Sequence, residues 1–246
     1  MNDKILKLKE LIELGGLVFF GGAGVSTESN IPDFRSEAGL YATKELYGHP
    51  PEYLLSIDCF VRNTDLFFKY YKENMIYRDA APNDAHKALA QLEARGLLSW
   101  IITQNVDGLH QAAGSKNVAE LHGANDCQYC VVCRRKFDLE YTLNPENCEG
   151  LIPKCACGGI VRPDVVLYGE PLNQKVISLA VNAISTAKCL IVGGTSLAVY
   201  PAAGLINYLP QGSPLVLINK SETPFDGDAN LIIRESIGAV LKAATS

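Results

Sequence analysis

The sequence lacks the marks of membrane, secreted and nucleic-acid-binding proteins. In its 246 residues no apolar run approaches the roughly 20 residues that cross a bilayer. The first residues mix Lys and Glu with Ile and Leu, without the apolar core of a signal peptide. The net charge is −5 and no basic tail is present, which disfavours duplex nucleic acid as a partner. We therefore expect a cytoplasmic protein with no membrane and no direct nucleic-acid partner.

Short apolar segments are the most regular feature that is present. Fully apolar short strands are typical of parallel sheets covered on both faces. The predicted strands are 17–20, 100–103, 165–167, 189–192, 215–218 and 231–233. Helical patterns at 84–95, 173–187 and 236–243 separate several of them. The alternation predicts an α/β fold, a Rossmann-like, doubly wound parallel sheet.

Two stretches interrupt the alternation. Residues 37–79 are rich in Tyr and Phe and carry no strong strand signal, so we expect a loop followed by a helical insert. Residues 126–159 are rich in cysteine, charge and proline and resemble a separate small module. The sequence thus predicts a Rossmann-like domain built from residues 1–36, 80–125 and 160–246.

A glycine-rich stretch follows the first predicted strand. Gly21-Gly22-Ala23-Gly24 would let a backbone approach a pyrophosphate, and the next helix would offer free N–H groups. Ser26 and Thr27 could cap that helix or bind phosphate oxygens. The alternative is a turn that only joins strand to helix. Pro32-Asp33-Phe34-Arg35 adds polar groups suited to ribose and phosphate, or else forms a solvated loop.

The cysteines predict a metal site. Two pairs separated by 21 residues resemble a four-cysteine zinc ribbon, with the ligands Cys130, Cys133, Cys155 and Cys157. The second pair has one intervening residue rather than the usual two, so Cys148 or Cys127 could replace a ligand. A redox-active or merely reduced cluster is the alternative. A site of four thiolates is coordinatively closed, so we expect a structural zinc ion.

Polar side chains follow the predicted strand at 100–103. Gln104, Asn105 and Asp107 come where open parallel sheets place ligands, although a capped turn would explain them too. His122 lies between a strand-like run and the cysteine module. Histidine suits proton transfer near neutral pH, but a histidine in such a position is more often structural.

Seven motifs occur together in one order. This sequence resembles the sirtuins, NAD-dependent protein deacylases, and in particular a short, single-domain, bacterial-type member. The resemblance spans nearly the whole chain. The motifs are Gly22–Ser26, Ile31–Arg35, Gln104–Asp107, Leu121–Gly123, the cysteine pairs, Arg162–Glu170 and Gly194–Leu197.

The resemblance implies a function for individual residues. His122 would be the general base, and Asn105 would order the ribose and a water molecule. Residues 166–170 and 197–200 would flank an extended acetyl-lysine peptide. The residues expected to contact NAD are Ala23, Thr27, Phe34, Arg35, Gln104, Val106, Asp107, His122, Thr195, Ser196, Asn219 and Ile237.

The implied reaction is deacetylation of protein lysine with NAD as a consumed co-substrate. In this family the acyl oxygen attacks the ribose carbon as nicotinamide leaves, and lysine, nicotinamide and O-acetyl-ADP-ribose result. Members that favour acidic acyl groups carry Tyr and Arg where Phe68 and Tyr71 stand here. The resemblance therefore implies an uncharged acyl group.

Three positions depart from the family pattern, and none removes a reacting group. Gly21 replaces a usual threonine, Asn30 replaces a glycine, and the spacing of Cys155 and Cys157 is short. Asn tolerates a positive φ better than most residues, so the turn at Asn30 is expected to survive. A mono-ADP-ribosyltransferase on the same fold and a non-catalytic NAD sensor remain alternatives, the latter disfavoured by the intact Asn105, Asp107 and His122.

Overall fold

A computed structural model describes residues 2–32 and 43–246 of the chain. Its main sheet has six parallel strands in the order β11-β10-β9-β1-β2-β3. The strands are β1 (Leu17–Gly21), β2 (Leu98–Thr103), β3 (Val118–Glu120), β9 (Cys189–Gly193), β10 (Leu215–Ile218) and β11 (Leu231–Ile233). The order reverses direction about β1, which confirms the predicted doubly wound topology.

Alternate strand residues enter two separate cores. Phe19 packs with one face and its neighbour Phe20 with the other, because successive side chains of a strand point to opposite sides. One core is covered by α1 (Asn2–Glu13), α5 (Asp84–Ala94) and α9 (Ile237–Thr245). The other is covered by α8 (Gln174–Ser185) and the 3₁₀ helix Ala202–Tyr208.

Short helices make up much of the predicted insert. Residues 43–47 are helical, and α2 (Pro51–Leu54), α3 (Ile57–Arg62) and α4 (Thr64–Asn74) follow. Aromatic side chains from α3 and α4 form a cluster of their own, in which Phe67 stands edge-on to both Phe60 and Phe68. The cysteine-rich region contributes β4 (Gly123–Cys130), β5 (Lys136–Asp138), α7 (Leu139–Leu143), β6 (Cys148–Glu149), β7 (Ile152–Pro153) and β8 (Val161–Val165). The short helix α6 (Leu109–Ala112) follows β2.

The strand predicted at 165–167 does not belong to the main sheet, so that prediction was wrong. β8 ends at Val165 and pairs antiparallel with β4. Val165 and Val166 are only half-buried, so the run lacks the cover on both faces that a central parallel strand requires. The sixth strand is instead β3, which contains the strand-like Val118 and Ala119. No helix within 2–32 and 43–246 has the length and apolar character needed to span a membrane.

Two histidines are buried against each other between α5 and α6. The rings of His86 and His110 meet edge-on with centroids 4.7 Å apart. Among the described residues, His86 Nε2 and both ring nitrogens of His110 have no hydrogen-bond partner. Burial lowers the pKa of His86 to about 4 and the pKa of His110 to about 3. Both rings are therefore neutral in the folded protein at neutral pH.

The histidine pair predicts a loss of stability in mild acid. In the unfolded chain both rings would protonate near pH 6.5, whereas the folded state takes up these protons only near pH 4 and pH 3. Unfolding therefore becomes easier as the pH falls below about 6.5, by up to about 1.4 kcal/mol per pH unit for each ring. Between pH 7 and pH 5, the free energy of unfolding measured with urea should fall less in His110→Gln than in the parent chain. His49→Gln, at an exposed position, is the control. The same pH dependence in His110→Gln and the parent chain would refute the explanation.

Candidate active site

Two glycine loops meet at the carboxyl edge of the sheet. The N–H of Gly24, in the loop after β1, donates to the carbonyl oxygen of Gly194, after β9, over 2.8 Å. A Cβ atom on Gly24 would lie 2.8 Å from the Cα of Gly194, closer than such contacts occur. Only glycine allows these backbones to touch. The loops therefore form a closely packed floor of glycine backbone, which suits a pyrophosphate.

A hydrogen-bonded group of three side chains stands beside this floor. The hydroxyl of Ser26 donates to Asp107 Oδ2 over 2.6 Å and accepts from Asn105 Nδ2 over 3.0 Å. The other oxygen, Asp107 Oδ1, accepts from the backbone N–H of Leu109. Each carboxylate oxygen thus has a donor, which fixes the orientation of Ser26, Asn105 and Asp107.

The imidazole of His122 is held by the loop after β2, which also carries Asn105 and Asp107. Its Nδ1 lies 2.9 Å from the carbonyl oxygen of Gln104. A carbonyl oxygen only accepts hydrogen bonds, so Nδ1 carries the proton and Nε2 is the basic nitrogen of the neutral ring. The side chain of Gln104 donates to Thr195 Oγ1 over 3.2 Å, which ties the histidine's support to the loop after β9.

A cavity of about 290 Å³ is lined by Ser26, Gln104, Asn105, Asp107 and His122. Of the residues predicted from the sequence, the cavity brings together Ala23, Gln104, Asn105, Val106, Asp107 and His122. Residues 166–170 and 199–201 also line the cavity. A further wall is made by Tyr71, Met75, Tyr77 and Asn125.

The remaining predicted cofactor residues do not line this cavity. Thr27 donates to the carbonyl of Gly24, Thr195 is buried and Ser196 is exposed. Asn219 follows β10 and donates to the carbonyl of Ser221, and Ile237 begins α9. All five lie at or beside the carboxyl edge of the sheet. Phe34 and Arg35 fall outside the described residues.

Several supporting residues were missed from the sequence. Asn83 caps α5 and donates to the carbonyl of Val25 over 2.7 Å and to Ser29 Oγ over 3.0 Å. Its position before a helix signalled the cap but not the link to the glycine loop. Glu28 accepts from the N–H of Gly238 at the start of α9, 210 residues away, and no local pattern announces that contact.

A buried polar network backs the wall of the cavity. The phenol of Tyr71 donates to Asn125 Oδ1 and accepts from Gln128 Nε2, both over 3.3 Å. Gln128 in turn accepts from Thr142 in α7. Burial raises the pKa of Tyr71, so its hydroxyl is neutral. Phe68 is fully buried in the aromatic cluster and does not line the cavity.

The four predicted metal ligands lie together. The sulfur atoms of Cys130, Cys133, Cys155 and Cys157 are all within 4.8 Å of one another. The pairs Cys130–Cys157 and Cys133–Cys155 are 3.5 and 3.6 Å apart. Tetrahedral zinc with Zn–S bonds of about 2.3 Å would separate its sulfurs by about 3.8 Å, so these residues fit one zinc ion. The short second pair therefore needs no substitute ligand.

The environment of Cys130 favours the thiolate that a metal needs. Burial opposes ionisation, but hydrogen bonds from the backbone at Cys133 and Val132 and from the neighbouring thiols outweigh it and lower the pKa of Cys130 to about 6. Cys148, one alternative ligand, instead contacts Lys72 Nζ and the carbonyls of Thr142 and Asn144.

The family model described as "Sir2 family" matches residues 22–201. The chain belongs to the Sir2 family. A curated relative from Clostridium acetobutylicum, named NAD-dependent protein deacetylase, is 58% identical over 242 residues. The matched region covers 98% of this chain and 97% of the relative's chain.

Solved Sir2 structures share the fold of this Sir2-family chain. One holds deacetylated p53 peptide and 3'-O-acetyl ADP ribose; its TM-score is 0.88 at 37% identity, covering 97% of this chain and 96% of its own. Another holds p53 peptide and NAD+, with a TM-score of 0.85 at 37% identity, covering 95% and 93%.

Loss of one ligand should empty the metal site of this Sir2-family protein. We expect about one zinc ion per chain, and Cys130→Ala should abolish zinc retention and lower the melting temperature because metal binding contributes folding energy. Metal analysis after gel filtration measures the first and thermal unfolding the second. Cys148→Ala is the matched control and should keep its zinc. An unchanged zinc content in Cys130→Ala would show that the cluster is not the site.

Proposed function

We propose that this protein is an NAD-dependent protein-lysine deacetylase. The observation that carries the proposal is the hydrogen bond from His122 Nδ1 to the carbonyl of Gln104, which leaves Nε2 as the basic nitrogen in a cavity beside the glycine floor. The names of the relatives and the ligands of the related structures support the same reaction. The products would be nicotinamide, O-acetyl-ADP-ribose and free lysine.

NAD, when bound, supplies an electrophilic ribose carbon that accepts the acyl oxygen as nicotinamide leaves. The chain's own residues would bind and orient the reactants. Gln104, Val106 and Asp107 would line the nicotinamide pocket, and Asn105 would order the ribose. His122 would remove a proton from a ribose hydroxyl through Nε2, since proton transfer by a positioned imidazole needs its neutral form. The fixed dipoles around Ser26 and Asp107 support the same assignment, because fixed dipoles stabilise charge that develops during reaction.

The rest of the cofactor would follow the sheet edge. We assign its phosphates and adenosine to Ala23, Thr27, Thr195, Ser196, Asn219 and Ile237. The positions of these residues after β1, β9 and β10 and at the start of α9 support this path. Phe34 and Arg35 would cover the nicotinamide ribose. Residues 126–159 would act as a separate zinc module, and 37–79 as the cofactor loop and helical insert.

The substrate peptide would lie extended between residues 166–170 and 197–200. A peptide can add as a strand to exposed backbone, with side-chain pockets for selectivity. The presence of residues from both segments in the lining of the cavity supports this geometry. We also propose a cytoplasmic location, since the reaction consumes NAD and the cysteine site needs reduced thiols.

Incubation of the protein with NAD and an acetyl-lysine peptide tests the proposal. Deacetylated peptide with equal amounts of nicotinamide and O-acetyl-ADP-ribose is the expected result. Transfer of label from NAD to protein without deacetylation would favour a mono-ADP-ribosyltransferase. An absence of turnover in the zinc-loaded protein would leave NAD sensing as the surviving function.

Removal of the base should separate chemistry from binding. We expect His122→Ala to lower kcat for deacetylation by about 10²–10⁴-fold, the usual contribution of a positioned acid or base. NAD should still bind, because His122 contributes little to the phosphate and adenosine contacts. Rapid-quench kinetics and calorimetry measure the two effects. His49→Ala, at an exposed histidine outside the cavity, should keep normal activity; near-normal kcat in His122→Ala would remove it from its role.

The wall at Tyr71 predicts selection against charged acyl groups. None of the described residues that line the cavity is Lys or Arg, and Tyr71 offers only a neutral phenol. The carboxylate of an acidic acyl group would lose its hydration in this cavity without gaining a cationic partner. Succinyl-lysine peptide should therefore react with a kcat/KM at least about 100-fold below that of butyryl-lysine peptide. The two chains have similar length, so the comparison isolates charge, and equal values would contradict the assignment.

A further inference from the structure

A largely buried ion pair includes Glu170, which lines the cavity. Arg162, in β8, is 3% exposed and faces Glu170, which is 24% exposed. Arg162 NH1 donates to Glu170 Oε1 over 2.7 Å, and NH2 donates to Oε2 over 2.9 Å. The pair is thus bidentate, the arrangement with the strongest directional preference among ion pairs.

Both partners also bind the backbone between them. Arg162 NH2 donates to the carbonyl of Val165 over 2.8 Å, and Glu170 Oε2 accepts from the N–H of Leu167 over 2.9 Å. The N–H of Glu170 returns a hydrogen bond to the carbonyl of Leu167. Val165–Glu170, the clamp segment, is therefore folded around the two charges.

Neighbouring elements fix the pair from the sides. The guanidinium carbon of Arg162 lies 5.1 Å from the ring centre of Phe60, in α3, and 5.7 Å from that of Tyr129, in β4. The other side of the clamp segment is held by the chain before α3, because Tyr168 exchanges backbone hydrogen bonds with Leu55 and Ile57. Contacts on both sides therefore hold the clamp segment in place.

The arrangement excludes an acid–base function for Glu170. Although partial burial opposes ionisation, the hydrogen bonds from Arg162 and from the Leu167 N–H lower the pKa of its carboxyl group. The carboxyl group is therefore ionised, so it has no proton to donate, and its lowered pKa makes it a poor base. Buried ion pairs are often no more stable than apolar side chains of the same size, so stability alone does not account for this one.

We propose that Arg162 and Glu170 are positioning residues for the polypeptide on either side of the acyl-lysine. This inference rests on the proposed function. The ion pair sets the conformation of the backbone edge that pairs with the substrate peptide. Peptide affinity depends on the pair, whereas NAD binding and the chemical step do not. The pair acts through Val165, Leu167 and the backbone between them, without touching the reacting atoms.

Substrates of two lengths test this separation. One is an acetyl-lysine peptide with roughly five residues on each side, and the other is acetyl-lysine carrying only blocking groups at its ends. In Glu170→Gln the KM for the long peptide should rise about tenfold, with the KM for NAD and kcat changed less than about twofold. The short substrate should show little change, because it has no flanking backbone to pair.

Glu170→Gln leaves an unpaired buried charge and risks misfolding, so a second variant is needed. The double variant Arg162→Met with Glu170→Gln removes both charges and should melt close to the parent chain. It still lacks the guanidinium that binds the Val165 carbonyl, so its KM for the long peptide should stay raised. Leu92→Ala, a truncation in the core that α1, α5 and α9 cover, controls for lost stability and should not alter the ratio of the two KM values.

A stable double variant with the parent KM for the long peptide would overturn the proposal. Equal rises in KM for the long and short substrates would also overturn it, since the pair would then act on the acyl group and not on the backbone. If the parent chain turns over neither substrate, the proposed function fails instead. The two failures are therefore distinguishable.

Discussion

The strands of the main sheet end level with one another, and the site depends on this register. Gly21 lies opposite both Thr103 and Gly193, and Gly193 lies opposite Ile218. The chain therefore leaves each of these strands at the same, carboxyl-terminal edge of the sheet. Parallel strands place ligands there because the polar groups that follow them converge. The residues after β1, β2, β3 and β9 reach one cavity and one floor, although up to 178 positions separate them in sequence, from Ala23 to Pro201.

What could be predicted from the sequence follows from the range of each interaction. The four candidate zinc ligands were identifiable because chelation by a tight turn imposes a short spacing, and the four sulfur atoms lie within 4.8 Å of one another. The strands of the parallel sheet were identifiable because cover on both faces demands continuous apolar runs. Residues 165–167 are equally apolar, yet they belong to the clamp segment, which folds around the Arg162–Glu170 ion pair. Only tertiary contacts distinguish such a segment from a strand of the parallel sheet.

The missed residues are polar groups that act over long sequence distances. Glu28 meets Gly238 and Asn83 meets Val25, although 210 and 58 positions separate the partners. No periodicity encodes such contacts, because each depends on where two separate elements come to rest. The hydrogen bond between His122 and Gln104 is of the same kind. The sequence named both residues but could not give the tautomer, which follows from the acceptor that the backbone presents.

The antiparallel ribbon of β4 and β8 joins the four-cysteine cluster to the segment that carries His122. Cys130 lies opposite Val161 at one end, and Gly123, next to His122, lies opposite Val165 at the other. The 21 residues between Cys133 and Cys155 are thus anchored by sulfur at both ends, away from the imidazole. Lengthening such a loop costs little, about 0.6 kcal/mol for each doubling. An evolving lineage can therefore enlarge this surface with new recognition elements while the geometry of bond breaking stays as it was.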